Sequence, residues 1–396
     1  MKRFIKIILI ILIAAAGIYT YDIFSGYSIS KYVDERVNFS SDEQHITSSE
    51  PSKQNELNRL LYFQLDDEGK KLYDTIYYGV SEHKNPIFIG FNKESDNVFD
   101  ILKTVLCEHP ELFWCSGSCS FSSNGYLTVK YSCSKEEAQL KSQKIDAKAE
   151  ELLSTLGTSQ QEKAVQLFDY VVETTEYDFE NVSNLENNPE ISTIEGVLLN
   201  GRAVCGGYAK AYQFLLQRAG MQAVYVTGAA NSPKGEQHHG WVCQQIDGEN
   251  YFSDPTWSDS FEGHSDSNFI SHTYFCLSGD EISETHKADD KFSAIKASKG
   301  SYDFFTANGF YFDEYNVTDI RTALKSSIER NQAGAELKFS SDEVYRQAVE
   351  KLIDKEELYY ILLSLDPLSV NISSTEVSYS SDDSHRVLTI LYKKSM

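Results

Sequence analysis

Val204-Cys205-Gly206-Gly207-Tyr208, then His239-Gly240-Trp241, then Asp254-Pro255-Thr256-Trp257: within this one stretch a thiol, an imidazole and a carboxylate follow each other in order. After Cys205, the positions Tyr208, Ala211, Tyr212, Leu215, Leu216 and Ala219 recur at helical spacing, and Gly220 ends the run. The spacing places Cys205 in the first turn of a helix. Unpaired N–H groups and the helix dipole there favour an anion, the setting in which a thiolate forms. Gly206 and Gly207 put no side chain beside the sulfur and leave room for a substrate backbone. A free cysteine taken alone is most often a small buried hydrophobe, so its companions decide the reading.

Downstream, Ala223-Val224-Tyr225-Val226 reads as a strand, followed by a polar loop from Ala230 to Gln237. His239 to Ile246 and Asn250 to Asp254 read as two strands joined at Asp247-Gly248, a strong two-residue hairpin signal. That turn pairs Ile246 with Glu249 and, counting back, Trp241 with Asp254. His239 lies two residues from Trp241, so imidazole and carboxylate share one sheet face as diagonal neighbours. The Cys205 helix is expected on that same face. His238 would point the other way. The bland alternative is a core histidine and an aspartate that merely starts a turn before Pro255.

The three blocks together resemble those of the transglutaminase-like superfamily, especially its bacterial members. The resemblance covers roughly residues 136 to 290, and the upstream Tyr177-Asp178 pair is similar to a further block of that family. It implies a papain-like core with a Cys at a helix start and His and Asp on neighbouring strands. The activities it implies are cysteine proteolysis, peptide hydrolysis and transglutamination, and inactive relatives also occur.

A chain of 396 residues allows two or three domains, and 41% hydrophobic content is enough to build their cores. The formal charge of −23 argues against a nucleic-acid partner, which wants a basic footprint. Met1-Lys2-Arg3-Phe4-Ile5-Lys6 and the apolar run after it mark residues 1–24 as a signal anchor or a signal peptide cleaved near Ala14-Ala15-Ala16-Gly17. The basic start keeps the N-terminus cytoplasmic. The bulk of the chain is then extracytoplasmic, on a single-pass cell-membrane anchor, or secreted. Residues 25–55 are polar and read as a linker.

Two similar stretches bracket the core. Ile87-Phe88-Ile89, a helix from Val98, Glu111-Leu112-Phe113-Trp114 and a hairpin ending Leu127 to Tyr131 form the first. Glu336 to Phe339, a helix from Val344, Glu357-Leu358-Tyr359-Tyr360 and a hairpin ending Leu388 to Tyr392 form the second. Both read as β-α-β-β modules. In the first hairpin, a Ser123-Asn124-Gly125 loop pairs Phe121 with Leu127, Cys119 with Val129 and Cys115 with Cys133. The seven cysteines fit one nucleophile and up to three bridges, and Cys115 and Cys133 are either bonded or simply buried. Cys115-Ser116-Gly117-Ser118-Cys119 is not a zinc signature. Asp259, Glu262 and Asp266 lack the EF-hand pattern and read as a solvated loop rather than a calcium site.

The fold class is therefore α+β: an N-terminal hydrophobic helix, a module at 56–135, a papain-like, transglutaminase-like core at 136–290 and a module at 300–396. The function expected is an exported acyl-transfer enzyme working through Cys205, His239 and Asp254, with no cofactor and no metal. Gly206, Tyr208 and Trp241 are the expected substrate-binding residues; Tyr208 and Trp241 either wall the site or belong to the core. Tyr177 is a candidate oxyanion donor beside the Cys205 N–H. Partners are a peptide or protein substrate, including cell-wall or cell-surface material, and the membrane. The competing class is a non-catalytic cell-surface binding protein that keeps the fold.

Overall fold

The computed structural model describes residues 57–394 apart from 92–93, 233–234, 260–268, 301, 303, 331 and 366–371. These belong to one compact unit, Asn55–Met396. The expected N-terminal helix at 1–24 and the linker at 25–55 lie outside the described residues. Among the described residues no helix is long and apolar enough to cross a membrane.

The first module opens with helix α1 (Asp67–Ser81), whose N-terminus is capped by the Asp66 side chain accepting from the Gly69 amide at 2.7 Å. Strand β1 (Ile87–Phe88), helix α2 (Ser95–Glu108), strand β2 (Cys115–Phe121) and strand β3 (Tyr126–Tyr131) follow. The sheet order is β1-β3-β2. Leu72, Tyr73 and Ile76 of α1 and Val98, Leu102 and Val105 of α2 pack on Ile87, Leu127 and Val129. The hairpin pairs Phe121 with Leu127 and Cys119 with Val129, as expected. Further along, the register shifts and Cys115 faces Tyr131, not Cys133. The cause is Gly117, which sits at φ 79°, a left-handed conformation that absorbs extra residues as a bulge. All seven cysteines are free thiols.

Helices α3 (Lys135–Leu153) and α4 (Gln160–Glu173) each begin with a capping box, Ser134 with Glu137 and Ser159 with Glu162. Helix α5 (Cys205–Arg218) follows a short parallel pairing of Glu176–Tyr177 with Arg202–Ala203. Strands β4 (Ala223–Ser232), β5 (Gly235–Ile246), β6 (Glu249–Ser253) and β7 (His286–Ala288) form a sheet in the order β6-β5-β4-β7. The expected polar loop from Ala230 to Gln237 is mostly ladder, since Ala230 pairs with Gln237 and Ser232 with Gly235. Asp247 and Gly248 both have positive φ, 52° and 90°, the conformation a type I′ hairpin requires. That turn fixes Ile246 opposite Glu249 and Val242 opposite Ser253.

Both faces of this sheet are buried. Ala223, Val242 and Ile246 pack on Tyr208, Ala211, Tyr212 and Leu215 of α5. Val224, Val226, Trp241, Cys243 and Phe252 pack on Leu57, Leu61 and Cys107. The helix thus covers the face opposite the one carrying Trp241 and, by alternation, His239; the expectation of a shared face does not hold.

The C-terminal part contains strand β8 (Tyr311–Phe312), helix α6 (Val317–Glu329), strand β9 (Gly334–Phe339), helices α7 (Asp342–Val349) and α8 (Glu357–Ser364), and strands β10 (Ile372–Asp382) and β11 (Val387–Lys394). The order β8-β9-β11-β10 contains the same arrangement as β1-β3-β2: the strand before the helix lies beside the last strand of the hairpin. Strand β9 is buried along its whole length. Leu337 and Phe339 face the module's own helices. Glu336 accepts from Ser271 Oγ at 2.5 Å, the His272 amide at 2.8 Å and Thr273 Oγ1 at 2.9 Å, while Lys338 pairs with Glu281 at 2.7 Å. These polar groups fasten the module onto the core segment that leads into β7.

Candidate active site

Cys205 is the first residue of α5, and its N-cap, Val204, is extended and offers no side-chain acceptor. The first-turn N–H groups beside the thiol are therefore left without a side-chain cap. Gly207 is needed for packing: a methyl there would meet the Ile191 carbonyl oxygen at 2.5 Å and Ala203 Cβ at 2.7 Å. Its absence lets the helix start press onto the 191–203 segment.

Strand β6 ends at Ser253 opposite Val242, so among the described residues no strand pairs with β5 on that side from Trp241 back to His239. The thiol at the tip of α5 interacts electrostatically with the imidazole of His239. His239 Nε2 lies 2.6 Å from Asp254 Oδ2, which leaves Nδ1 as the ring nitrogen available to the sulfur. Asp254 is fully buried, and its other oxygen accepts from the Thr256 amide at 2.9 Å and the Trp257 amide at 3.2 Å. His238 alternates to the other side and is exposed.

The electrostatics follow from these contacts. Burial pulls the His239 pKa down, but the Asp254 charge and hydrogen bond, with the Cys205 contact, outweigh it and raise it to about 10. Burial likewise pushes Asp254 up, and the charge and hydrogen bond of His239, then those of His286, reverse this and hold the carboxyl well below the usual range. The pair is thus poised as imidazolium and carboxylate.

A family model described as the transglutaminase-like superfamily matches residues 146–257. The match contains Cys205, His239 and Asp254. The chain carries a transglutaminase-like domain. No curated protein matches. Among solved structures, the chain is similar to one described as a crystal structure of a TGase, at 19% identity and TM-score 0.29, over 40% of this chain and 49% of that one. It is also similar to the periplasmic domain of TgpA from Pseudomonas aeruginosa bound to ethylmercury, at 18% identity and TM-score 0.22, over 35% of this chain and 62% of that one. The chain thus spans about half the length of the first structure and under two thirds of the second.

Around the transglutaminase-like site, Gly206, Tyr208 and Trp241 are all buried. Gly206 is buried, with Ser192 O 3.4 Å and the Tyr225 hydroxyl 3.6 Å from where a methyl would stand. Tyr208 is buried, and its hydroxyl shares its one proton between Asp259 at 2.5 Å and the Thr175 carbonyl at 3.0 Å. Trp241 is also buried, stacked 6.3 Å from His239. The half-buried Tyr177 sits where its phenol interacts electrostatically with Cys205 and Asp254; burial first, then those two charges, push its pKa up to about 12, so it keeps its proton. Its ring packs 4.6 Å from Phe179, which is 65% exposed. Glu262 and Asp266 lie outside the described residues.

Several residues at the site are absent from the sequence reading. Tyr225 lays its ring across Gly240, where a methyl would be 2.5 Å from the phenol. Lys210 donates to the Ser192 carbonyl at 3.2 Å, stands over the Tyr225 ring and interacts with the Cys205 thiol; burial lowers its pKa. His286 places Nε2 3.2 Å from Asp254 Oδ2. No motif flags it, because β7 is brought to the site by pairing with β4 from far along the chain. His239, Asp254 and His286 offer three metal-ligand atoms within 4.8 Å of one another. Two ligands on one tetrahedral ion at about 2.1 Å would stand roughly 3.4 Å apart. The 2.6 Å between His239 and Asp254 is instead a hydrogen-bond length.

Proposed function

We propose that this protein is a cysteine-dependent acyl-transfer enzyme acting on peptide or glutamine amide bonds. The observation that supports it most is the buried His239–Asp254 hydrogen bond at 2.6 Å, on an imidazole that interacts electrostatically with the Cys205 thiol. His239 holds the proton taken from the thiol as its imidazolium, and the sulfur attacks the acyl carbon as the thiolate. The tetrahedral oxyanion is met by the Cys205 N–H, with the protonated Tyr177 phenol as second donor. His239 then gives its proton to the leaving amine, and a thioester forms. Water releases an acid, or an amine releases a new amide. Asp254 fixes the imidazole tautomer throughout.

The substrate proposed is a peptide or protein at the cell surface, and the N-terminal apolar segment is the proposed export signal or anchor. The test is mass spectrometry of peptides and cell-wall fragments incubated with the protein, with and without an added amine. Cys205→Ala should abolish turnover, and His239→Ala should lower it about a thousandfold or more. His238→Ala should be mild. Turnover that survives Cys205→Ala sinks the mechanism, and a wild-type protein without turnover leaves a binding protein as the reading.

A further inference from the structure

Strand β7 pairs with β4 so that His286 stands opposite Ala230, while His239 on β5 stands opposite Gly228. Gly228 and Ala230 are two residues apart on one strand, so the two imidazoles project from the same sheet face. Gly228 has no side chain between them; a methyl there would lie 2.9 Å from the Trp241 ring and 2.1 Å from the Lys287 carbonyl oxygen. The bare position lets β7 and the Trp241 ring close together, and His286 reaches Asp254.

We infer that His286 is a positioning residue of the proposed active site, holding the Asp254 carboxylate in the plane that His239 requires. This rests on the reading of Cys205, His239 and Asp254 as the catalytic set. Asp254 Oδ1 is pinned by the Thr256 and Trp257 amides, and Oδ2 accepts from His239 at 2.6 Å and His286 at 3.2 Å. Both oxygens thus carry two donors, and the carboxylate has no free rotation left. His286 itself is held: Nδ1 lies 2.8 Å from Thr285 Oγ1, and its ring packs 4.8 Å from Trp241 and 4.5 Å from Trp257. With Nε2–H donating to Asp254, Nδ1 accepts the Thr285 hydroxyl proton, which fixes one tautomer. The titratable groups that face His286 are Asp254, His239, His385 and Tyr274. Tyr274 donates in turn to Asp382 at 3.1 Å, so the C-terminal module backs the same cluster. An isolated core histidine would need none of this convergence on one carboxylate oxygen.

Alkylation of Cys205 by iodoacetamide across pH 5 to 9, on the full chain, tests the inference without a known substrate. His286→Phe keeps a ring of similar bulk and removes the donor. It should slow alkylation at pH 6 by about tenfold or more, the effect of one hydrogen bond to a buried charge. His286→Gln, which retains an N–H donor, should recover most of the rate. A folded His286→Phe protein whose rate–pH profile superimposes on that of the wild type overturns the inference. If His286→Phe does not fold, Thr285→Val decides: it releases the tautomer while preserving shape. It should slow alkylation in the same pH range, and an unchanged profile overturns the inference. The catalytic reading has its own control. Wild-type alkylation no faster than in His239→Ala refutes that reading and takes this inference with it.

Discussion

Asp254→Asn isolates the buried charge on which the site turns. The side chain keeps its size, and its carbonyl oxygen can still accept from the Thr256 and Trp257 amides. Its amide nitrogen then faces the Nε2 atoms of His239 and His286, now 2.6 and 3.2 Å from Oδ2. An NH2 group cannot accept, so His239 must turn a lone pair toward it and carry its proton on Nδ1. That tautomer cannot take a proton from the thiol. The size of the effect follows from the imidazole. Its pKa stands at about 10 against an ordinary 6.5, a preference for the charged ring of about 5 kcal/mol. Asp254 supplies the larger favourable share, so turnover should fall about a thousandfold. Histidine-labelled NMR titration, with His239→Gln to assign the signal, reads the ring directly. In Asp254→Asn, His239 should titrate at or below about pH 7, because burial is then opposed only by the thiol. Stability should follow the same charges. The raised His239 contributes fully below about pH 6.5 and loses its contribution as pH rises through about 10; the depressed Asp254 contributes above about pH 4 and loses its contribution as pH falls through its lowered value. The melting-temperature gap between wild type and variant should be widest between about pH 4 and 6.5 and close toward pH 10. A His239 that still titrates near pH 10 in the variant would refute the reasoning.

Two further outcomes are expected. Gly228→Ala places a methyl 2.1 Å from the Lys287 carbonyl oxygen, so it should push β7 away from β4 and destabilise by about 2 to 3 kcal/mol in a denaturant melt. It should also slow Cys205 alkylation through displacement of His286. Lys338→Met strands the mostly buried Glu281, 2.7 Å from the lost ammonium, and should destabilise by about 3 to 5 kcal/mol. The double variant Lys338→Met with Glu281→Leu should recover most of that loss in the same melt.

Local chemistry made much of the core legible. Asp247-Gly248 dictates a two-residue turn, and the observed positive φ values and the Ile246–Glu249 pairing follow from it. The apolar spacing after Cys205 becomes α5, which starts at the cysteine and ends just before Gly220. What failed did so where a single residue changed the path. Gly117 in a left-handed conformation moved Cys115 from Cys133 to Tyr131. The polar composition of Ala230 to Gln237 suggested a loop, yet β4 and β5 carry their ladder out to Ser232 and Gly235. Backbone pairing there overrides side-chain polarity. The expected substrate residues are a separate case. Proximity in sequence to Cys205 and His239 allows Tyr208 and Trp241 to be site wall or core, and alternation and helical phase turn both inward.

Parity also explains why the His–Asp contact was readable and the helix face was not. Within one hairpin, turn length alone decides which side chains share a face, so His239 and Asp254 meet. Which face the next helix covers depends on the apolar surface available, and here there is no contrast to read. Gly240-Trp241-Val242-Cys243 is apolar without alternation, the mark of a strand buried on both sides. Val242 went under α5 and Trp241 under Leu57, Leu61 and Cys107. With the helix on the far face, the thiol can meet the imidazole only around an edge. Strand β6 ends at Ser253, and Asp254 departs from the ladder there, its amide donating to the Tyr274 carbonyl at 2.9 Å and its carboxylate fixed by the Thr256 and Trp257 amides. A carboxylate released from its strand needs holding from elsewhere. His286 arrives from the opposite edge of the sheet, on a strand whose place no local pattern could announce.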